Sequence, residues 1–171
     1  WCDRWWLFMI EFDYDLNYKR LKFKPNDSRY RIGRGEQGVL LVRPYTNDIC
    51  KHWRFKTPAE AMISATKILH MYHMYKEKRD FVGMDMARKF LEMGFTRARR
   101  YANHKSGRIY VQTHNEKFER LPQEKDWATN EKAKSAKIFK KARDKVAKDP
   151  VYIEMRKDWR KREEANFYGY M

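Results

Sequence analysis

Between Phe12 and Tyr18 the chain alternates apolar and polar positions. Phe12, Tyr14, Leu16 and Tyr18 stand against Asp13, Asp15 and Asn17, the period of a half-buried strand. Leu21 and Phe23 continue the alternation until Pro25-Asn26-Asp27 marks a turn. Tyr30-Arg31-Ile32 follows, then a glycine-rich loop, then the unbroken apolar run Val39-Leu40-Leu41-Val42 of a covered strand. Trp53 and Phe55 supply one more short strand. Residues 11–56 are therefore predicted to form a small, mostly antiparallel sheet in the N-terminal third of the chain.

The period then changes to that of helices. Thr57-Pro58-Ala59-Glu60 combines a capping hydroxyl, a proline at the first helical position and a capping-box glutamate. The helix it opens is predicted to run to about Lys76, with Ala61, Ala65, Ile68, Tyr72 and Tyr75 as its apolar stripe. A second helix is expected over Val82–Met93, interrupted at Gly94 and resumed from Thr96 through Ala102. Residues 105–127 show little periodicity and read as an irregular connection. From Thr129 the composition shifts to Lys, Ala, Glu and Arg. Ile138, Phe139, Ala142 and Val146 stripe one helix, and Asp149-Pro150 opens another carrying Val151, Ile153, Met155 and Trp159. The expected class is α+β: a small sheet packed by helices, with peripheral helices at the C-terminus. Three stretches follow: an aromatic extension over 1–10, a core over 11–127 and a basic helical segment over 128–171.

Charge changes this picture most. The 171 residues carry a formal net charge of +16, and 36% of them are charged. Self-repulsion of that size opposes compactness unless counterions or an anionic partner neutralise it, so a polyanion is the expected partner. With 16% aromatic residues and a length suited to one domain, the chain can still bury a core. Cys2 and Cys50 are too few for a disulfide framework or a zinc spacing, which points to a reducing compartment or the inside of a particle. Trp5–Ile10 is apolar but too short to span a bilayer, so no membrane is expected. The chain begins at Trp1 rather than Met, which leaves its natural start and any removed targeting segment open.

Three constellations carry candidate chemistry. Gly33-Arg34-Gly35-Glu36-Gln37-Gly38 matches G-x-G-x-x-G, but strand-like Val39–Val42 follows where a dinucleotide fingerprint needs a helix. A tight hairpin using the glycines' positive φ is the plainer expectation, with Arg31 and Arg34 placed to touch phosphate. Arg97, Arg99, Arg100, Lys105 and Arg108, interleaved with Tyr101 and His104, form the best site. Guanidinium forks suit phosphates, Tyr101 suits base stacking, and no acid follows Glu92 nearby to neutralise the run. A third cationic set, Lys19 to Lys56, lies among aromatics that serve equally as core. Asp80, Asp85 and Glu92 hold carboxylates for a magnesium-assisted reaction, but nothing in their spacing fixes a geometry. His70, His73 and Glu77 lack zincin spacing. No catalytic residue, metal ligand or cofactor is assigned, and the sequence leaves open whether any reaction is catalysed.

Four runs resemble a known family: Tyr30–Leu40 (YRIGRGEQGVL), Trp53–Pro58 (WRFKTP), Asp80–Leu91 (DFVGMDMARKFL) and Gly94–Lys105 (GFTRARRYANHK). They look like an uncharacterised domain-of-unknown-function family of bacteria, some algae and large-genome viruses, including phages of cyanobacteria. The resemblance covers roughly residues 11–165 and implies that the glycine loop and the Arg97–Lys105 segment belong to one compact domain. It implies no activity. The heavy lysine content and the aromatic start at Trp1–Ile10 depart from the family pattern.

The expected function is a non-enzymatic, basic nucleic-acid-binding protein of a ribonucleoprotein, such as an organellar ribosome, or of a virion. RNA and DNA fit equally, and other proteins of the assembly are further expected partners. The expected location is the cytoplasm, an organelle matrix or a virus particle, without secretion. Two alternatives stand beside it. One is a small enzyme for a nucleotide or phosphorylated substrate that gathers the glycine loop, Asp85 and His104 around a pocket. The other is a structural protein that binds acidic protein surfaces in a capsid.

Overall fold

The computed structural model describes residues 12–169; the aromatic extension expected over 1–10 lies outside them. In chain order the elements are α1 (Tyr45–Cys50), α2 (Pro58–Glu77), α3 (Phe81–Asn103), β1 (Tyr110–Gln112), β2 (Phe118–Arg120), α4 (Glu131–Ala147) and α5 (Pro150–Tyr168). The class is α+β, a helical core with one exposed two-stranded antiparallel sheet. Among the described residues no helix is long and apolar enough to cross a membrane.

The sheet is not where the alternation placed it. Among the described residues 12–56 there is no strand; the segment runs through turns before α1. The polar partners of the alternation explain why. Asp13 Oδ1 accepts the Asp15 N–H, and the two Asp27 carboxylate oxygens accept the N–H groups of Lys24 and Arg29. Short acidic side chains thus satisfy locally the backbone donors that a ladder would need. Phe12, Tyr18, Phe23 and Tyr30 are buried nonetheless, whereas Tyr14 is exposed. Phe12 stacks on Tyr18 (centroids 5.4 Å apart), Tyr18 on Phe23 (6.1 Å), and Tyr30 meets Trp159 of α5 edge-on (6.2 Å). The sheet lies instead within 105–127, expected to be irregular, where Tyr110 pairs with Arg120 and Gln112 with Phe118.

The helices follow their caps. Thr57 Oγ1 accepts the Glu60 N–H at 3.2 Å with Pro58 opening α2, and the Asn130 and Asp149 side chains cap α4 and α5 in the same way. Gly94, expected to interrupt the second helix, lies inside an unbroken α3. A β-carbon there would fall 2.4 Å from the Phe139 ring, so the glycine admits that ring from α4. Ala133, Ala136, Ala142 and Val146 bury the rest of that contact. α4 is consequently a central helix packed on α2 and α3, rather than the peripheral one its lysines suggested. Its cations occupy the solvent side of an otherwise buried stripe.

Candidate nucleic-acid interface

Arg97, Arg99 and Arg100 lie on the C-terminal half of α3, and Lys105 and Arg108 follow its end. Arg100, Lys105 and Arg108 are exposed and Arg97 is half-buried. Among the described residues none of the four forms an ion pair. Beside this end the Glu124 carboxylate accepts the backbone N–H of Lys105 at 3.0 Å. Arg99 behaves differently. Its guanidinium donates to Asn103 Oδ1 and to the carbonyl of Trp127, and lies 5.5 Å from the Trp127 ring centroid. Burial draws its pKa down, and through these contacts Arg99 braces the loop before α4. His104, expected to face phosphate, is buried as the residue that ends α3; its N–H donates to the Arg100 carbonyl, and Nδ1 has no partner among the described residues. Arg97, Arg100, Tyr101, Lys105 and Arg108 remain available; Arg99 and His104 are structural.

Tyr101 also walls a cleft of about 380 Å³ that no sequence pattern had assembled. Its lining is Trp53, Arg54, Phe55, Lys56, Tyr101 and Lys132, three aromatic rings and three cations without an acid. The Trp53 and Phe55 centroids are 5.0 Å apart, and those of Phe55 and Tyr101 6.1 Å. Lys132 of α4 crosses the opening: its ammonium donates to the Lys56 carbonyl at 2.8 Å and stands 5.2 Å from Phe55 and 6.0 Å from Tyr101. Three chain segments far apart in sequence, Trp53–Lys56, Tyr101 and Lys132, build this wall, which is why local reading missed it. Its sequence signals were Tyr101 and the W-R-F-K alternation at Trp53–Lys56, with nothing to join them.

The glycine loop is a series of turns rather than a hairpin, and several of its N–H groups are bonded within the loop. The N–H groups of Gln37 and Val39 go to the carbonyls of Arg34 and Glu36, and that of Arg34 goes to Gln37 Oε1. The loop offers carbonyls to cations instead: Arg88 donates to Gly35 O at 3.2 Å and Lys89 to Gln37 O at 2.9 Å. Gly38, at φ +72, admits the Phe12 ring, where a β-carbon would come within 2.2 Å. Arg31 is half-buried beside Glu163 on α5, and Arg34 is exposed.

With this geometry in view, the match to known families is informative. A family model described as "Domain of unknown function (DUF4385)" matches residues 13–162. The chain belongs to that family. No curated protein and no solved structure matches it. The DUF4385 match takes in the glycine loop, both walls of the cleft and most of α5, so Lys132 and the arginine run fall within one family unit.

The DUF4385 unit is held together by a buried charged network in the other half of α3. Asp85 accepts the phenol protons of Tyr30 and Tyr152 and pairs with Arg88 at 2.8 Å and Lys89 at 3.9 Å, with both Asp85 and Lys89 wholly buried. Burial pushes the Asp85 carboxyl up, but Arg88 and Lys89 overcome it and hold it well below the usual carboxylate range. Burial brings the Lys89 ammonium down to about 8 against the pull of Asp85. From α5, Glu163 accepts the Ile32 N–H at 2.7 Å and Trp159 Nε1 donates to the Tyr30 carbonyl. The other carboxylates weighed for magnesium are engaged apart from it: Asp80 with Tyr45 and Glu92 with Arg143. His104 lies nineteen residues along the helix from Asp85, roughly 28 Å at 1.5 Å per residue. The two do not meet around one pocket.

Proposed function

We propose that this chain is a non-enzymatic nucleic-acid-binding protein that works inside a larger assembly, a ribonucleoprotein or a virus particle. The observation that carries the reading is the run Arg97, Arg100, Lys105 and Arg108, which has no ion pair among the described residues although it lies on one helix end and the turn after it. Elsewhere some cations do pair with carboxylates, Arg29 with Asp27, Lys76 with Asp149 and Arg143 with Glu92, whereas here several neighbouring ones are left without an ion pair. Leaving guanidinium groups together and uncompensated costs self-repulsion, which phosphates relieve with release of their counterions. Two cysteines in 171 residues fit a reducing compartment or a particle interior, without secretion.

The test is a salt titration of binding to a 20-nucleotide strand, followed by fluorescence anisotropy. Replacing Arg97, Arg100 and Lys105 together by Gln lowers affinity by one to two orders of magnitude at low salt. It also flattens the log–log salt slope by about 2, at roughly 0.7 per single-strand phosphate contact. An unchanged slope overturns the reading. Should nuclease treatment leave the native assembly intact while the triple variant falls out of it, the partner is an acidic protein surface instead.

A further inference from the structure

We infer that the cleft between Trp53–Lys56, α3 and α4 holds one unpaired base of a single-stranded nucleic acid, with the neighbouring phosphates on Arg54, Lys56 and Lys132. This rests on the nucleic-acid reading above and adds to it which strand form is taken and where.

The chemistry of the wall selects the occupant. Trp53, Phe55 and Tyr101 present contiguous rings, so the cleft offers stacking faces and apolar contact. Every other lining residue is a cation, which suits a ligand that is flat and aromatic in its middle and anionic at its edge. An apolar peptide would bury the three cations without a counter-charge, an unfavourable exchange. Neighbouring rings have centroids 5.0 and 6.1 Å apart and are tilted by 53° and 37°, so they leave no slot between them for a base, and one base face lies on a single ring with the others at its edge. The Lys132 ammonium lies over Phe55 and Tyr101, so a base that stacks there takes its place and the ammonium turns to the adjoining phosphate.

The platform is preformed. Trp53 leans edge-on against Phe90 of the core, the Arg54 N–H is fixed by Ser64 Oγ at 3.0 Å, and Lys132 ties α4 to the Lys56 carbonyl. Position supplies the rest of the path. Arg100 adjoins Tyr101 and Arg97 stands one helical turn behind it, so a strand with a base on Tyr101 continues along the unpaired arginines. In a duplex the bases are stacked and paired, and none reaches this wall without being turned out.

The experiment uses the full chain and three probes of equal length at equal salt: an oligothymidine or oligouridine strand, the matched duplex, and a strand of abasic sites that keeps the phosphates and lacks the bases. Anisotropy is expected to show the single strand bound on the order of tenfold more tightly than either other probe. Phe55→Leu with Tyr101→Leu, which keeps the apolar contacts and every cation, removes that advantage and leaves duplex and abasic binding as they were. Equal binding of all three by the unaltered chain overturns the cleft assignment while the polyanion reading stands. Failure to bind any of them overturns both. The abasic comparison needs no substitution, so the outcome does not depend on the variant folding.

Discussion

The two halves of α3 use the same residue types for opposite purposes. From Phe81 to Met93 the helix is buried, and its charges close on one another: Asp85 with Arg88 and Lys89, two phenols donating to Asp85, and Glu92 reaching Arg143 on α4. From Arg97 onward the cations face outward with no ion pair, and the one that is satisfied, Arg99, spends its donors on an amide and a carbonyl. Arginine near an acid at helical spacing reads as cohesion; arginine in an acid-free run reads as a surface awaiting charge from elsewhere. Gly94 stands at the changeover, where Phe139 closes the buried half.

The strongest way to break this contrast is to remove the carboxylate that compensates the buried half. Asp85→Ala leaves Arg88 and Lys89 together in the interior without counter-charge and strips two phenols of their acceptor. Breaking a buried pair of this kind costs about 3–5 kcal/mol. For a chain of this length that corresponds to a fall in Tm of roughly 6–20 °C. Calorimetry or a urea titration reads it directly, and a fall of only a degree or two would mean that the network is ornamental and the halves do not differ.

Alkaline titration sharpens the contrast. Burial, reinforced by Asp85, raises the Tyr30 and Tyr152 phenols, and burial with Asp149 raises Tyr72 likewise. A folded pKa above the unfolded value near 10 contributes stability that is complete below pH 10 and is lost as pH climbs past it. Lys89 has the opposite sign. Its folded pKa of about 8 lies below the unfolded 10.5, so the unfolded chain binds more protons in that window and stability rises with pH between them. Tm is therefore expected to increase from pH 8 to about 10 and to drop steeply beyond. Lys89→Met flattens the rise and keeps the drop; a monotonic profile from pH 8 upward would contradict the assignment.

What the sequence made legible follows from how local each signal is. Thr57-Pro58 and Asp149-Pro150 are complete caps within four residues, and the helices begin where they say. The cationic run at Arg97–Arg108 was visible because an absence of acids is a property of a contiguous stretch. The strands of 11–56 were misplaced because aromatic alternation reports burial, whereas the pairing of the backbone was decided by Asp13 and Asp27 closing turns. Nothing local tells that Gly94 faces a ring forty-five residues on, or that Lys132 meets Phe55. Tyr101 was legible as a stacking residue while the rest of its wall was not. Asp85, Arg88 and Lys89 sit at i, i+3 and i+4, a spacing that offered the buried network to anyone pairing charges along the helix.

The smallest expected effect is the one on which the functional half of the contrast depends. Arg97→Gln with Arg100→Gln removes two positive charges from a surface where neither side chain has an ion pair to lose. Surface changes away from caps, cores and networks stay within about 0.5 kcal/mol, so Tm should hold to within a degree or two at moderate salt. At low ionic strength the sign is informative. If the two arginines chiefly repel one another and the rest of a +16 chain, the variant becomes slightly more stable as salt is withdrawn, and the difference vanishes once salt screens it. Thermal melts of both proteins across a salt series read this. A loss of several degrees at every salt concentration would place these arginines in the cohesion of the fold, as Arg88 is, and the two halves of α3 would then be doing the same work.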